Sequence, residues 1–231
     1  MEATDTLLWE IDEEARRLEG CSLEEILTWG AQRFQHSALA CSFGAEDVVL
    51  VDAIVHEQLP IDIFYLDTQL LFKETYQTRD RLAQRYGRTF LSFQPRISLG
   101  EQAAQFGDRL WERRPDQCCA LRKVEPLRRA LQGRQMWITG IRREQAPTRA
   151  RARVVEWDAK NGLVKLNPLA AWTSKEVWDR IVARRIPYNP LHDLNYPSIG
   201  CWPCTTPVQP GEDLRAGRWR GTGKIECGIH Q

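Results

Sequence analysis

The chain has 231 residues, 42% of them hydrophobic and 27% charged, with 32 Lys and Arg against 31 Asp and Glu. That is apolar material for a sizeable core in one generous domain, and it excludes wholesale disorder. The near-zero net charge excludes a general nucleic-acid coat, and no apolar run approaches the roughly 20 residues of a membrane span. The acidic start, Met1-Glu-Ala-Thr-Asp5, is the opposite of a signal peptide's basic one, so a soluble cytoplasmic protein is expected.

From Leu7 to Phe34 the periodicity predicts two helices separated near Gly20–Ser22, with Ser22 as N-cap and Glu25 three residues on. Ser37–Cys41 reads as a short strand, Ser42–Asp47 as a turn, and Val48–Gln58 as a helix. Ile61–Leu66 is a second buried strand. Leu71–Tyr86 is helical in period, and Gly87 stops it. A third strand follows at Thr89–Phe93, helices at Leu99–Phe106 and about Gln117–Leu131, and a fourth strand at Gln135–Ile141. Val154–Asp158 and Leu163–Leu166 flank Asn161-Gly162, a hairpin signal, and Thr173 caps a helix running to about Arg185.

Strands alternating with helices predict an α/β fold, a mostly parallel sheet covered on both faces. Beyond Ile186, prolines at 187, 190, 197, 203, 207 and 210 and glycines at 200, 211, 217, 221, 223 and 228 preclude long regular elements. The expected organisation is one nucleotide-binding domain over residues 1–206, with its N-terminal helices within 1–36, and an irregular C-terminal tail over 207–231.

The balanced charge is unevenly spread. Residues 1–30 hold nine acids and two bases, whereas Arg109–Arg153 hold thirteen bases and four acids. A solvated surface would look the same, but such a block also attracts a small polyanion. In a parallel α/β sheet, ligands bind at the carboxyl ends of the strands, where a turn into a helix aims N–H groups at an anion. Ser42 and Gly44 suit close approach to phosphate or sulfate, although a plain tight turn reads the same way. The Gly-x-x-x-x-Gly-Lys-Ser/Thr signature of NTPases is missing. Leu66-Asp67-Thr68 ends the second strand at the same edge, as a helix cap or as a nucleotide contact. Arg142, Arg143 and Arg149 follow the fourth strand, and Arg215 and Arg218 lie in the tail; guanidinium groups match phosphate and sulfate in forked geometry.

Seven cysteines, an odd number, favour metal or thiol chemistry over structural disulfides. Cys21 and Cys41 stand alone beside apolar runs and read as packing residues. Cys118-Cys119 with Cys201-Trp-Pro-Cys204 match a tetrahedral zinc site or a [4Fe–4S] cluster, and spacing alone leaves both open. Adjacent cysteines on a helix diverge by about 100°, which a cluster tolerates better than one small ion does. A thioredoxin reading of Cys201–Cys204 fails because Pro207 and Pro210 follow where a helix is required. Cys227 has Lys224 and His230 nearby, cations that favour a reactive thiolate, and a tail can carry such a nucleophile into a site.

These motifs together resemble the assimilatory adenylyl-sulfate / phosphoadenylyl-sulfate reductase family, specifically its cluster-containing adenylyl-sulfate branch. The likeness runs in family order from Ser42-Phe-Gly-Ala-Glu-Asp47 through Leu66–Thr68, Cys118-Cys119-Ala-Leu-Arg-Lys123, Gly140–Arg143, Cys201–Cys204 and Arg215–Arg218 to Glu226-Cys-Gly-Ile-His230. The resemblance implies an adenine-nucleotide-hydrolase-like fold of the PP-loop type. It assigns Cys118, Cys119, Cys201 and Cys204 to one [4Fe–4S] cluster per chain and Lys123 to a place near cluster and sulfate. It gives Ser42, Phe43, Gly44, Ala45, Glu46, Asp47, Leu66, Asp67 and Thr68 to the nucleotide, Arg142, Arg143 and Arg149 to its charged groups, and Arg215, Arg218 and His230 to the closed site. The stretch between Arg218 and Cys227 is short and lacks the family's frequent acidic and aromatic insert.

The reaction so implied is reduction of adenylyl sulfate to sulfite and AMP, in sulfate assimilation and cysteine biosynthesis. Cys227 would form an S-sulfocysteine, which reduced thioredoxin or glutaredoxin discharges; the cluster would tie the tail to the sheet and add to the local field. No thioredoxin-like extension follows, so an external donor is expected, and a homo-oligomer is a further expectation. Alternatives are use of phosphoadenylyl sulfate or of both nucleotides, a zinc-stabilised nucleotide-binding module without turnover, and a tRNA-thiolating ATPase. The last lacks its glycine-rich ATP turn and an RNA-binding segment.

Overall fold

In the computed structural model, which describes residues 2–229 and side chains from Leu8 onward, two helices open the chain, α1 (Glu2–Leu18) and α2 (Leu23–Arg33). Ser22 and Glu25 form the reciprocal cap read from the sequence: Ser22 N–H donates to the Glu25 carboxylate at 2.7 Å and Glu25 N–H to Ser22 Oγ at 3.3 Å. The strands are β1 (Ser37–Ala40), β2 (Asp62–Leu66), β3 (Leu91–Phe93), β4 (Met136–Ile138), β5 (Val155–Asp158) and β6 (Leu163–Leu166). They form one sheet in the order β3-β2-β1-β4-β6-β5, parallel except for β5, which pairs antiparallel with β6 across the expected Asn161-Gly162 turn. Gly162 takes φ +70°, a conformation disfavoured for any residue with a Cβ.

Side chains alternate across the strands and divide the core into two layers. Leu39, Ile63, Ile138 and Leu166 face one side, packing with Ile26 and Leu27 of α2, with α3 (Ala45–His56), and with Ile181 of the helix at Ser174–Arg184. Ala38, Phe64, Trp137 and Leu163 face the other, against Leu127 and Ala130. Each fully buried Leu or Ile contributes roughly 1.5–3 kcal/mol of transfer free energy, so the sheet is rigid where its strands end.

Between the strands run α4 (Lys73–Tyr86), α5 (Leu99–Phe106), α6 (Leu110–Arg113), α7 (Pro115–Cys119), α8 (Glu125–Ala130) and, after β6, α9 (Ser174–Arg184). Two departures from the sequence reading shape the site. The helix expected over Gln117–Leu131 is interrupted by a π-helical turn at Ala120–Val124, where Glu125 N–H reaches back to the Ala120 carbonyl. The cause is Pro126: in an unbroken α-helix its missing N–H would orphan the Arg122 carbonyl and its ring would press on it, and a widened turn relieves both. The helix expected from Leu71 begins instead at Lys73, because Leu71 bridges to Cys201 and the Leu70 carbonyl accepts from Trp202 N–H.

The chain winds outward from β1 to β2 and β3, then returns to β4 on the other side of β1. Neighbouring parallel strands whose connections leave in opposite directions open a crevice at their carboxyl ends, and the site lies there. Among the described residues no helix is long and apolar enough to cross a membrane.

Candidate active site

The turn leaving β1 is built under strain. Phe43 sits at φ +61°, a left-handed conformation costing about 1–2 kcal/mol for an L-residue. Its buried ring packs edge-on against Tyr65 and Phe90, with centroids 5.4 and 5.3 Å away, and so offsets that cost. The bend delivers the chain into α3 with Ser42 facing the crevice. Ser42 N–H and Oγ both donate to the Asp47 carboxylate, at 2.5 and 2.6 Å, so these donors already hold an anionic group. Burial pushes the Asp47 carboxyl up to about 6, against the Ser42 hydrogen bonds that lower it. Gly140, after β4, packs on the same carboxylate: a Cβ there would lie 2.4 Å from Asp47 Oδ1.

A cavity of about 210 Å³ opens over this turn, walled by Ser42–Gly44, Glu46 and Asp47, by Leu66 and Thr68, and by Thr139–Arg142. Cations and the tail close its far end: Lys123, Arg149, Arg215 and Arg218, with Cys227 and Ile229. Arg218 is immobilised. Its guanidinium lies 4.4 Å from the Trp219 ring centroid and donates to Ser198 Oγ at 3.2 Å, and it presses so close to Gly200 that a Cβ would sit 2.4 Å from Nη2. Its Nε is buried without a partner.

The tail reaches this cavity despite the short Arg218–Cys227 stretch. Buried Glu226 accepts from Arg149 Nε and Nη2 at 2.9 and 3.0 Å and from Arg215 Nη2 at 2.9 Å. Burial raises its carboxyl, but the two guanidinium groups outweigh that and hold it below the usual range. Lys160 at the β5–β6 turn donates to the Gly228 carbonyl at 2.8 Å, and Ile229 packs on the Ala38–Phe64 layer. Cys227 is thereby buried against Cys119 and Trp219.

Cys118, Cys119, Cys201 and Cys204 ring a narrow cavity on the other side of Lys123, floored by Arg122 and Trp219. Thr68 Oγ1 lies 3.3 Å from Cys201 Sγ, joining the ring to the end of β2. Burial and then neighbouring thiols raise Cys118 to about 11 and Cys204 to about 12. Thiols so raised become thiolates only with a compensating cation. Among the described residues no three His, Cys, Asp or Glu side chains converge as ligands of a single metal ion. Lys123 borders both cavities; burial works against its charge, but the Cys201 and Cys227 sulfurs outweigh it and raise its pKa.

Most of the residues singled out in the sequence meet here, and some do not. Arg143 turns away: it pairs with Glu19 at 2.8 Å and with the Ala152 carbonyl at 2.7 Å, and it tethers the N-terminal helices instead of lining the cavity. Residues 142 and 143 are consecutive in a turn, so their side chains diverge. Asp67 also does structural work, accepting from Gln69 N–H at 3.0 Å and Tyr76 O–H at 2.6 Å, while Thr68 beside it lines the cavity. Arg142 lines the cavity but is engaged with Glu46 and Glu144 at 2.9 and 3.0 Å. Ala45 is buried in the first turn of α3. Lys224 pairs with Asp116. His230 lies outside the described residues. The sequence reading overlooked His192, Ser198, Trp219 and Thr139; only the proline-bounded stretch around His192 carried a signal, that of a fixed turn.

The phosphoadenosine phosphosulfate reductase domain model matches residues 36–207. The adenosine 5′-phosphosulfate reductase 1 of Bacillus subtilis is 48% identical over 208 residues, 89% of each chain. A phosphoadenosine 5′-phosphosulfate reductase of Gloeobacter violaceus is 48% identical over 220 residues, 94% of this chain and 91% of its own. The crystal structure of phosphoadenylyl-sulfate reductase from Candida auris, a phosphate complex, superposes with a TM-score of 0.77 at 34% identity, covering 85% of this chain and 96% of that one. The fold is the PP-loop-like nucleotide-binding α/β fold.

Proposed function

Because this chain belongs to the phosphoadenosine phosphosulfate reductase domain family, we propose that it reduces adenosine 5′-phosphosulfate to sulfite and AMP, with Cys227 as the nucleophile and a dithiol protein, thioredoxin or glutaredoxin, as reductant. The observation that carries the reading is the burial of Cys227 in the wall of the nucleotide cavity, alongside Lys123, Arg215 and Arg218. The Cys227 thiolate attacks the sulfate sulfur. The bond from sulfur to the bridging oxygen breaks, and AMP leaves with the electron pair. Lys123, Arg215 and Arg218 stabilise charge on the transferring sulfonate, and the N-terminal end of α3 stabilises it on the nucleotide phosphate. A thiol of the reductant then attacks Cys227 Sγ of the S-sulfocysteine, and sulfite departs. The reductant's second thiol resolves the mixed disulfide, so the dithiol supplies both electrons.

Cys118, Cys119, Cys201 and Cys204 suit a [4Fe–4S] cluster better than a single zinc ion, because a cluster binds each thiolate at a separate iron and the four need not converge on a point. Such a cluster would supply a rigid joint between the helix carrying Lys123 and the tail.

The Cys227→Ser variant tests the nucleophile: it retains AMP binding and loses sulfite production. Wild type mixed with adenosine 5′-phosphosulfate and no reductant gains a sulfonate on the Cys227 peptide; unchanged mass there refutes the covalent route. The names of the Gloeobacter and Candida relatives favour a second reading, use of phosphoadenylyl sulfate, which comparison of kcat/KM for the two nucleotides decides. A colourless protein with zinc and no turnover would replace both readings with a zinc-stabilised binding module.

A further inference from the structure

We propose that the Ile225 side chain is the apolar contact on which the dithiol reductant docks when it discharges Cys227. This docking presupposes Cys227 as the nucleophile of the proposed reaction. Burial is reversed in the segment that carries it. The Lys224 and Glu226 side chains turn inward and are 8% and 5% exposed. Lys224 pairs with Asp116 beside the Trp219 ring, and Glu226 is clamped by Arg149 and Arg215. Ile225 between them is 65% exposed, and its carbonyl accepts from Arg215 Nη2 at 3.0 Å. Ion pairs thus fix the chain on both sides and hold an aliphatic group out in water. Charges inside and an aliphatic group outside invert the usual order, and exposed apolar groups gathered beside a reactive one mark a contact surface.

Chemistry decides what covers this surface. In the discharge step a reductant thiolate bonds to Cys227 Sγ, the bond from Sγ to the sulfonate sulfur breaks, and sulfite leaves with the electron pair. The reductant's second thiol then displaces Cys227 as a thiolate, and the reductant departs as a disulfide. A folded protein must therefore come within bonding distance of Cys227. Two residues span at most about 7 Å of chain, whereas even a transient redox contact, at roughly 500 Å² per partner, extends about 12 Å from its centre. Ile225 falls inside that footprint and faces outward. A second exposed apolar group borders the same sulfurs: Trp202, edge-on to Trp111, lies two residues before Cys204, which packs with Cys227 and Trp219.

The test uses enzyme that has been sulfonated with adenosine 5′-phosphosulfate and freed of nucleotide. It is mixed with reduced thioredoxin, reduced glutaredoxin or dithiothreitol, and loss of the sulfonate is followed by mass spectrometry. With the faster of the two proteins, at subsaturating concentration, Ile225→Ser is discharged about 5- to 30-fold more slowly than wild type, the worth of covering such an exposed Ile. Ile225→Leu stays within twofold of wild type. So does Val182→Ser, which removes a similarly exposed aliphatic group from α9. Dithiothreitol, too small to use the surface, discharges all four proteins at one rate. A dithiothreitol rate that changes in Ile225→Ser shows that Ile225 only places the tail, and overturns the docking. Ile225→Ser discharged by the protein reductant as fast as wild type overturns it too; loss of self-association in that variant would then assign the face to a second copy of this chain. Wild type that neither protein discharges faster than dithiothreitol overturns the docking and leaves the sulfonation step standing. Wild type that acquires no sulfonate overturns both the docking and the proposed function.

Discussion

Replacing Glu226 with Gln changes one charge and almost no volume, and it tests whether the tail is held by the ion pairs that surround it. The Glu226 side chain is 5% exposed, and those of Arg149 and Arg215 are 12% and 14% exposed. Removing one partner of a buried pair costs roughly 3–5 kcal/mol, chiefly because the remaining charge stays buried. Gln keeps one acceptor oxygen, so the lower figure of about 3 kcal/mol is appropriate. This free energy belongs to docking of the tail and not to unfolding of the sheet, which the tail only overlies. At about 1.4 kcal/mol per factor of ten, the undocked population rises about 100-fold.

Alkylation of Cys227 by iodoacetamide, followed by mass spectrometry of the C-terminal tryptic peptide, reads that population, because the docked thiol is only 9% exposed. The expected rate increase is about 10- to 100-fold, with an unaltered thermal midpoint. The Glu226 carboxyl is held below its ordinary 4.5 in the docked state, so the clamp is present above that value and is lost as pH falls through the docked pKa. The ratio of variant to wild-type rates is therefore constant from pH 6 to 8 and closes only in acid. A ratio within twofold of one at pH 7 refutes the clamp.

Lys160→Ala removes an exposed bond to the Gly228 carbonyl and speeds the same alkylation by no more than about fivefold, one hydrogen bond's worth. Gly200→Ala puts a methyl 2.4 Å from Arg218 Nη2 and displaces that guanidinium; steady-state kinetics should show KM for adenosine 5′-phosphosulfate rising about tenfold or more, with the circular dichroism spectrum retained. Asp47, raised to about 6 by burial, binds a proton more tightly folded than unfolded, so its cost is absent below pH 4 and grows as pH rises to 6. Urea denaturation should find wild type losing about 3 kcal/mol across that interval relative to Asp47→Asn, from roughly two pKa units at 1.36 kcal/mol each. Parallel curves for the two proteins contradict the raised pKa.

Local rules made much of the architecture legible. The Ser22–Glu25 cap, the Asn161-Gly162 hairpin and the Thr173 cap need only neighbouring residues, and each stands where the periodicity put it. Strand ends were less legible. Thr139–Ile141 look like a continuation of β4, yet the strand ends at Ile138; Thr139 N–H still donates to the Leu166 carbonyl, while its hydroxyl donates to Asn167. The π turn was hidden because composition shows Pro126 as a breaker but not that the chain widens its helix around it. Arg143 misled because a pair of arginines after a strand looks like one basic patch, while consecutive side chains in a turn point to different neighbours.

The sequence alone determined the alternation of strand and helix, the parallel sheet, the strand edge that carries the site and the types of group brought there, since periodicity, caps and turns act over a few residues. Only the tertiary structure decided which of those groups meet. Thr68 touches Cys201 across 133 positions, and Arg149 grips Glu226 across 77. Such contacts depend on how the tail folds back over the sheet, and a packing arrangement between distant segments leaves no periodic trace in either of them.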